Sequence, residues 1–372
     1  MIYVLFYLGR LNFGALIPLI KEVHGFTNFS LGLVASSMLF MYTLMQIPSG
    51  YFADKIGPKK MLIFGCLLIA TGNVMMCTWL YPLMILAQII NGWGQSTGWS
   101  SLVKLGYKKD VESKKVLGVL SSAVPAGTSF AYVFAGFTAE RIALDIAFLL
   151  PAMIMLLLAI AIYFYISDNN MNFEILTSKI SIDNILKHNI VLLSCIQASI
   201  LSVMNSLFVW LPTIFVDICK VSPLEAYKFA FFFPLPGILG GLFGSYFTAK
   251  YGNKPSIIVN QAILTLLTLL ILFFVDPTSS NFLIFYLLLL TMALFFRFGS
   301  PSLFDLAIKT VGINLAGTAS GFLNFVGSVG SALTTALIGL ILDYYPTYTI
   351  FYLFTIIFIL SFFISLLLKD AH

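Results

Sequence analysis

The sequence predicts an all-α membrane protein in which twelve transmembrane helices form two pseudo-symmetric six-helix bundles. Three observations carry that expectation. Of the 372 residues, 60% are hydrophobic and only 9% are charged, against about a quarter charged in soluble domains. The charges are clustered, and the runs between them reach the roughly 20 residues needed to cross a bilayer. A motif that follows the second run returns after the eighth. The composition excludes a soluble enzyme, a disordered chain, a nucleic-acid-binding module and a disulfide scaffold. The four cysteines, Cys66, Cys77, Cys195 and Cys219, show neither paired nor metal-ligand spacing.

The spans follow in order from the gaps between charges. Span one, 1–20, has Arg10 as its only charge and begins at Met1 without a small-residue cleavage site, so it reads as a retained helix and not a signal peptide. Residues 26–53 are uncharged and supply span two at 30–53. Between Lys60 and Lys104 lie 43 uncharged residues, interrupted by the turn-like Trp79-Leu80-Tyr81-Pro82, which gives spans three and four at 60–79 and 82–106. Uncharged stretches 116–139 and 146–166 place spans five and six at 116–138 and 143–166. The second half repeats the pattern, with spans at 189–217, 224–249, 255–275, 281–308, 315–342 and 348–368. A transmembrane β-barrel would need short alternating segments of about 10 residues, and these runs are unbroken.

Lysine and arginine bias sets the expected orientation. An even number of spans puts both termini on one side, which collects 14 basic residues against 4 on the other. Both termini are therefore expected in the cytoplasm, in a multi-pass protein of the cell membrane. The formal charge of +5 is then a topology signal, and no nucleic-acid partner is implied. The extended polar stretch 167–188 reads as a cytoplasmic linker between an N-terminal bundle, 1–166, and a C-terminal bundle, 189–372.

Comparing the halves exposes a repeat. Gly50-Tyr51-Phe52-Ala53-Asp54-Lys55-Ile56-Gly57-Pro58-Lys59 is echoed 195 residues later by Ser245-Tyr246-Phe247-Thr248-Ala249-Lys250-Tyr251-Gly252-Asn253-Lys254. Pro18 and Pro212 correspond, as do Gly118 and Gly321, Gly136 and Gly339, and Glu140 and Asp343. Parallel six-helix halves of this kind are how many secondary transporters are built.

The stretch from Gly50 to Lys60 resembles the signature loop between helices two and three of the major facilitator superfamily. The resemblance implies the major facilitator fold over the whole chain. Arg10-Leu11-Asn12-Phe13 and Asn91-Gly92-Trp93-Gly94-Gln95-Ser96-Thr97-Gly98-Trp99 are similar to organophosphate:phosphate antiporters. Tyr42-Thr43-Leu44-Met45-Gln46-Ile47-Pro48-Ser49-Gly50 looks equally like the anion:cation symporters that carry sugar acids. Both branches move small organic anions. The resemblance implies that Arg10 matches the family's anion-binding arginine, and that Asp54 braces the cytoplasmic start of span eleven, near Leu315 to Thr318. Two departures stand out. The antiporters' arginine in helix seven is replaced here by Met204 or Asn205, and the proton-coupled branch's aspartate before the helix-one arginine is Gly9.

The residues themselves point the same way. Arg10 and Arg297 lie inside spans with no acidic residue well inside any span. Each costs about 2.5–3.5 kcal/mol near the bilayer centre, so each is expected to face an interior where the counter-ion is the substrate. A guanidinium fork suits phosphate or carboxylate. For Arg297 a gating contact to Asp305 competes with binding. Tyr3, Tyr7, Arg10 and Gly14 share one helix face, and Asn91, Gln95 and Trp99 form a stripe on span four. Ser122, Pro125, Ser129 and Tyr132 do so on span five, Ser199, Ser202 and Ser206 on span seven, and Asn324, Ser328 and Ser331 on span eleven. Substrate contacts are expected from Arg10, Arg297, Gln95, Asn91, Tyr7, Trp99 and Asn324, although small polar residues are also ordinary packing material in membranes. Gly237, Gly240, Gly241 and Gly244 read as packing that permits sliding. The resemblance of the loop also implies a gate at Asp54, Gly50, Gly57 and Lys59, and the physical reason for the Asp54 contact is that an anion beside a helix N-terminus is stabilising.

These features predict a secondary transporter of a small organic anion working by alternating access. Antiport against phosphate or a second anion is favoured, and proton-coupled symport of sugar acids or other carboxylates is the alternative. A drug or cation exporter would want a buried carboxylate, and a transporter-fold sensor would want an output domain. Enzyme activity has no support, because His24, His188 and His372 lie near loops or ends without a nucleophile or metal constellation. No cofactor or metal is expected, and the chain is expected to act as a monomer in the lipid bilayer.

Overall fold

The computed structural model describes residues 1–106, 113–166, 188–274, 282–312 and 316–369, with backbone alone at Asp54, Gly106, 113–122 and 316–318. The architecture is helical throughout these residues. α1 (Ile2–His24), α2 (Asn28–Ile56), α3 (Pro58–Met76), α4 (Tyr81–Gly106), α5 (Ser113–Arg141) and α6 (Ile146–Tyr165) make the first half. α7 (His188–Cys219), α8 (Ala226–Tyr251), α9 (Asn253–Phe274), α10 (Phe282–Val311), α11 (Ala316–Tyr344) and α12 (Ile350–Leu366) follow. Among the described residues, ten of these are long and apolar enough to cross a membrane, α4 and α5 being the other two. α4 falls short because Gln88, Asn91, Gln95, Ser96, Thr97 and Ser101 interrupt it, yet all six are buried. Their polarity is spent inside the protein.

Local chemistry explains the boundaries. α1 runs past the expected end at 20 and stops at Gly25, whose φ of 70° gives a left-handed cap with its N–H on the Lys21 carbonyl. Thr27 then caps α2, its hydroxyl accepting from the Ser30 N–H at 3.1 Å. Between α2 and α3 there is one residue, Gly57, at φ 96° and ψ 146°. Its repeat partner Gly252, between α8 and α9, sits at φ 90° and ψ 172°. Side chains are excluded from that region, so the repeat seen in letters is a repeat in backbone geometry.

Two expected spans are not continuous helices. α8 is split into Ala226–Phe232 and Pro236–Tyr251, because Pro234 and Pro236 withdraw two N–H donors from the ladder. α10 is split at Gly299 into Phe282–Phe298 and Ser300–Val311, where Pro301 does the same. Pro18, Pro48, Pro125, Pro151 and Pro212 are carried inside unbroken helices.

The chain forms two compact units. One takes in α1–α6 together with Phe208–Val216 of α7 and Val221–Phe231, and the other holds the rest of α7 and the later helices from Phe232 onward. In the first unit α4 packs between α2 and α3, and α1 lies along α5. A core of Phe6, Leu62, Cys66, Ile69, Ala152 and Met155 joins α1, α3 and α6. In the second unit α9 packs on α12, and α8 packs on α10. Gly240 and Gly244 put the α8 backbone directly on the Leu294 and Phe298 carbonyls. Of the four glycines read as a sliding surface, Gly241 has nothing within 4 Å of where a side chain would begin.

Candidate substrate-binding site

Tyr3, Tyr7 and Arg10 lie on one face of α1, at the spacing that stacks side chains along a helix. The Arg10 guanidinium sits over the Tyr42 ring of α2, 4.4 Å from its centroid, and 5.3 Å from that of Tyr7. Tyr3 meets Tyr7 edge-on at 5.4 Å and Trp99 of α4 at 5.5 Å. Aromatic faces attract a guanidinium by about 0.5–2 kcal/mol each, which offsets much of the cost of holding a charge within a span. They do not neutralise it. Among the described residues Arg10 makes no ion pair, and its side-chain hydrogen bond is to Tyr42. Tyr42 belongs to this cluster and was missed by sequence reasoning. It is on another helix, and no spacing rule connects it to Arg10.

Asn91 and Gln95, also expected to contact substrate, are bonded to α1. Each is buried, and each donates to a carbonyl of α1: Asn91 Nδ2 to Gly9 O at 2.7 Å and Gln95 Nε2 to Phe6 O at 2.9 Å. Asn73 of α3 adds a bond to Gly9 O at 3.3 Å and one to Ile69 O at 2.9 Å, and accepts from Asn12 at 2.7 Å. Gln88 closes the chain by accepting from Asn91 at 3.2 Å. These amides clamp the α1 backbone one residue before Arg10 and so fix where the guanidinium points. Asn73 and Gln88 were not picked out from the sequence. The available signal was an isolated amide in an otherwise apolar run.

The clamp also explains Gly9. A Cβ there would lie 2.6 Å from Ile69 Cγ2 and 2.8 Å from Asn73 Nδ2. An aspartate before Arg10 has no room, because Asn73 occupies the seat.

In the second unit the stem of Arg297 packs over Gly237 of α8, where a Cβ would come within 3.2 Å of its Cγ. Asp305, the expected gating partner of Arg297, is instead held by Asn253 Nδ2 at 2.7 Å and Lys309 Nζ at 2.7 Å. Asn324 accepts from Gln197 of α7 at 3.3 Å. Below it Asn205 donates to Ser331 at 3.0 Å and Ser206 meets Thr335 at 3.1 Å. Ser199 donates to Ser361 of α12 at 2.8 Å. Most of the polar stripes on α7 and α11 are thus rungs that lace helices together.

Of the residues assigned to a gate, Gly57 forms the α2–α3 turn, and Gly50 has nothing within 4 Å of where a side chain would start. Lys59 lies over the Tyr163 ring of α6 at 5.3 Å. Leu315 and the side chains of Asp54, Ser122 and 316–318 lie outside the described residues. Close by, buried Lys104 of α4 donates to Ala53 O at 2.9 Å, placing a cation at the carbonyl end of α2 where the helix dipole favours it. At the other end of the first unit, Tyr132 of α5 donates to Phe208 O, and Tyr227 of α8 donates to Glu140 at 2.7 Å.

Comparison with known proteins bears on this arrangement. Over 63 residues the chain is 46% identical to a probable sulfoacetate transporter of Cupriavidus necator, a match covering 17% of this chain and 15% of that one. Over 104 residues it is 29% identical to a probable hexose phosphate transport protein of Chlamydia trachomatis, covering 28% and 23%. The matched stretches thus span less than a quarter of the length of these curated relatives. The fold of the nucleoside transporter NupG superposes with a TM-score of 0.79 at 15% identity, over 98% of each chain. The model of the Major Facilitator Superfamily matches residues 1–335, and the chain belongs to that family.

Proposed function

We propose that this member of the superfamily is a secondary active transporter that moves a small organic anion across the cell membrane by alternating access, with exchange of one anion for another as its mode. The observation that carries the reading is Arg10, seated among Tyr3, Tyr7, Tyr42 and Trp99 with no ion pair among the described residues. Its fork takes two oxygens of a phosphate, sulfonate or carboxylate. The named relatives, for sulfoacetate and hexose phosphate, support that class of cargo. Gly9 supports exchange over proton coupling, since the position next to Arg10 is sterically closed to an acid. Asn91, Gln95 and Asn73 position Arg10 and make no contact with cargo, and Arg297 supplies a second cation from α10. The halves 1–166 and 189–372 act as the two bodies of the cycle in a monomer with both termini in the cytoplasm, and Asp54 belongs to the gate between them.

Counterflow in proteoliposomes loaded with phosphate, glycerol phosphate, hexose phosphates or sugar acids tests this. Wild type exchanges at least one of these anions without a pH gradient. Arg10→Lys and Arg10→Ala weaken its apparent affinity by about 10–100-fold, the equivalent of one charge-assisted bond of about 1.5–3 kcal/mol. Undiminished exchange by both variants refutes the site. Uptake that requires a pH gradient and no internal anion replaces exchange with proton symport.

A further inference from the structure

Asn260 and Gln261 of α9 are fully buried, and among the described residues none of their four polar side-chain atoms has a hydrogen-bond partner. Two orphaned amides side by side in a membrane-spanning helix are costly, more so than a packing contact can repay. Neither belongs to the cluster around Arg10, which lies in the other unit.

The surroundings of Asn260 show what would satisfy it. Asn260 faces the break in α10, and a Cβ on Gly299 would lie 2.5 Å from its Nδ2. The helix is open at that turn, because Pro301 has no N–H to donate. Thr248 and Ser302 meet there at 2.5 Å. The face of α9 that carries Asn260 also carries Ser256 and Asn253, four and seven residues earlier, and Asn253 bonds the part-exposed carboxylate of Asp305. A polar line therefore runs about 10 Å along α9 from the helix end to the amides.

We propose that Asn260 and Gln261 bind ordered water, and that the water on Asn260, beside the Gly299–Pro301 break, makes this a hydrated hinge about which the Ser300–Val311 segment of α10 bends. Water is the ligand because the site demands both roles. The two amide oxygens need a donor and the two NH2 groups need an acceptor. A cation would serve only the oxygens, and an anion only the NH2 groups.

The direct test is a structure of the wild-type protein in lipid nanodiscs, at a resolution where waters are visible, in sodium and in choline buffers. Density within hydrogen-bonding reach of both amides in both buffers is expected. Amides bonded only to protein atoms, or density that requires sodium, overturn the proposal. A second test is hydrogen exchange of the segment 296–305. Asn260→Leu dries the hinge and Gly299→Ala fills it, and each slows exchange there roughly tenfold. Asn260→Ser retains the hydration and the fast exchange. If Asn260→Leu and Gly299→Ala both exchange like wild type, no hydrated hinge exists, and because wild-type density is read separately, misfolding of a variant cannot mask the result.

Discussion

Gly9→Ala is the sharpest perturbation available near Arg10. The added methyl would lie 2.6 Å from Ile69 Cγ2 and 2.8 Å from Asn73 Nδ2, inside the distance at which both neighbours must move. Overpacking of this kind costs about 1–3 kcal/mol. Displacing Asn73 strains its bonds to Gly9 O, Ile69 O and Asn12, each worth about 0.6 kcal/mol in a membrane. The expected loss is therefore about 2–4 kcal/mol, accompanied by a shift of α1 that misdirects the guanidinium. Unfolding in mixed micelles by added SDS reads the first quantity, and anion counterflow reads the second. A double-mutant cycle isolates the cause. In an Asn73→Ala background half of the clash is gone, so Gly9→Ala should cost at least about 0.5 kcal/mol less than it does alone. If Gly9→Ala unfolds at the wild-type midpoint, or if its cost is the same with and without Asn73, the reasoning about the closed seat is wrong.

Further measurements separate packing from binding. Gln95→Leu and Asn91→Leu lower stability by about 0.6–1.7 kcal/mol each through loss of their bonds to α1, while the apparent affinity for the exchanged anion falls less than for Arg10→Lys; a larger loss of affinity than of stability would return them to the binding site. Gly57→Ala and Gly252→Ala each destabilise by about 1–3 kcal/mol, since both turns hold φ at 90° or more, and equal stability in SDS titrations would show that the turns relax. Burial and the neighbouring Asp145 push the Cys77 thiol, in the turn between α3 and α4, up to about 11. Thiolate is the reactive form, so maleimide labelling of a variant keeping only Cys77 should stay slow through pH 8–9 and climb tenfold per unit until about pH 11. A rate that levels off near the ordinary thiol value of about 8.5 would show that the thiol is not held in that environment.

Much of the molecule was readable from the order of its residues, because membrane insertion reads length and charge locally. Helices near the twelve expected spans form, and Gly57 and Gly252 announce the repeat because one backbone geometry demands glycine in both places. Arg10 was legible for the same reason, as a charge where the bilayer tolerates none. Where the helices break was half legible: Pro234, Pro236 and Pro301 interrupt them, whereas Pro18, Pro125 and Pro212 do not, and neighbours decide which prolines a helix absorbs.

What only the tertiary structure decided is which polar residues are taken up by bonds to neighbouring helices. Asn91, Gln95 and Trp99 share a stripe on α4, yet the two amides are consumed by the Gly9 and Phe6 carbonyls while the indole meets Tyr3. Tyr42 joins Arg10 from a helix that begins after α1 has ended. A polar side chain in a membrane has to find a partner, and whether that partner is a neighbouring carbonyl or a substrate depends on which helix lies opposite. Hydropathy and charge determine that these helices cross the bilayer, and contact between helices determines what each of them does there.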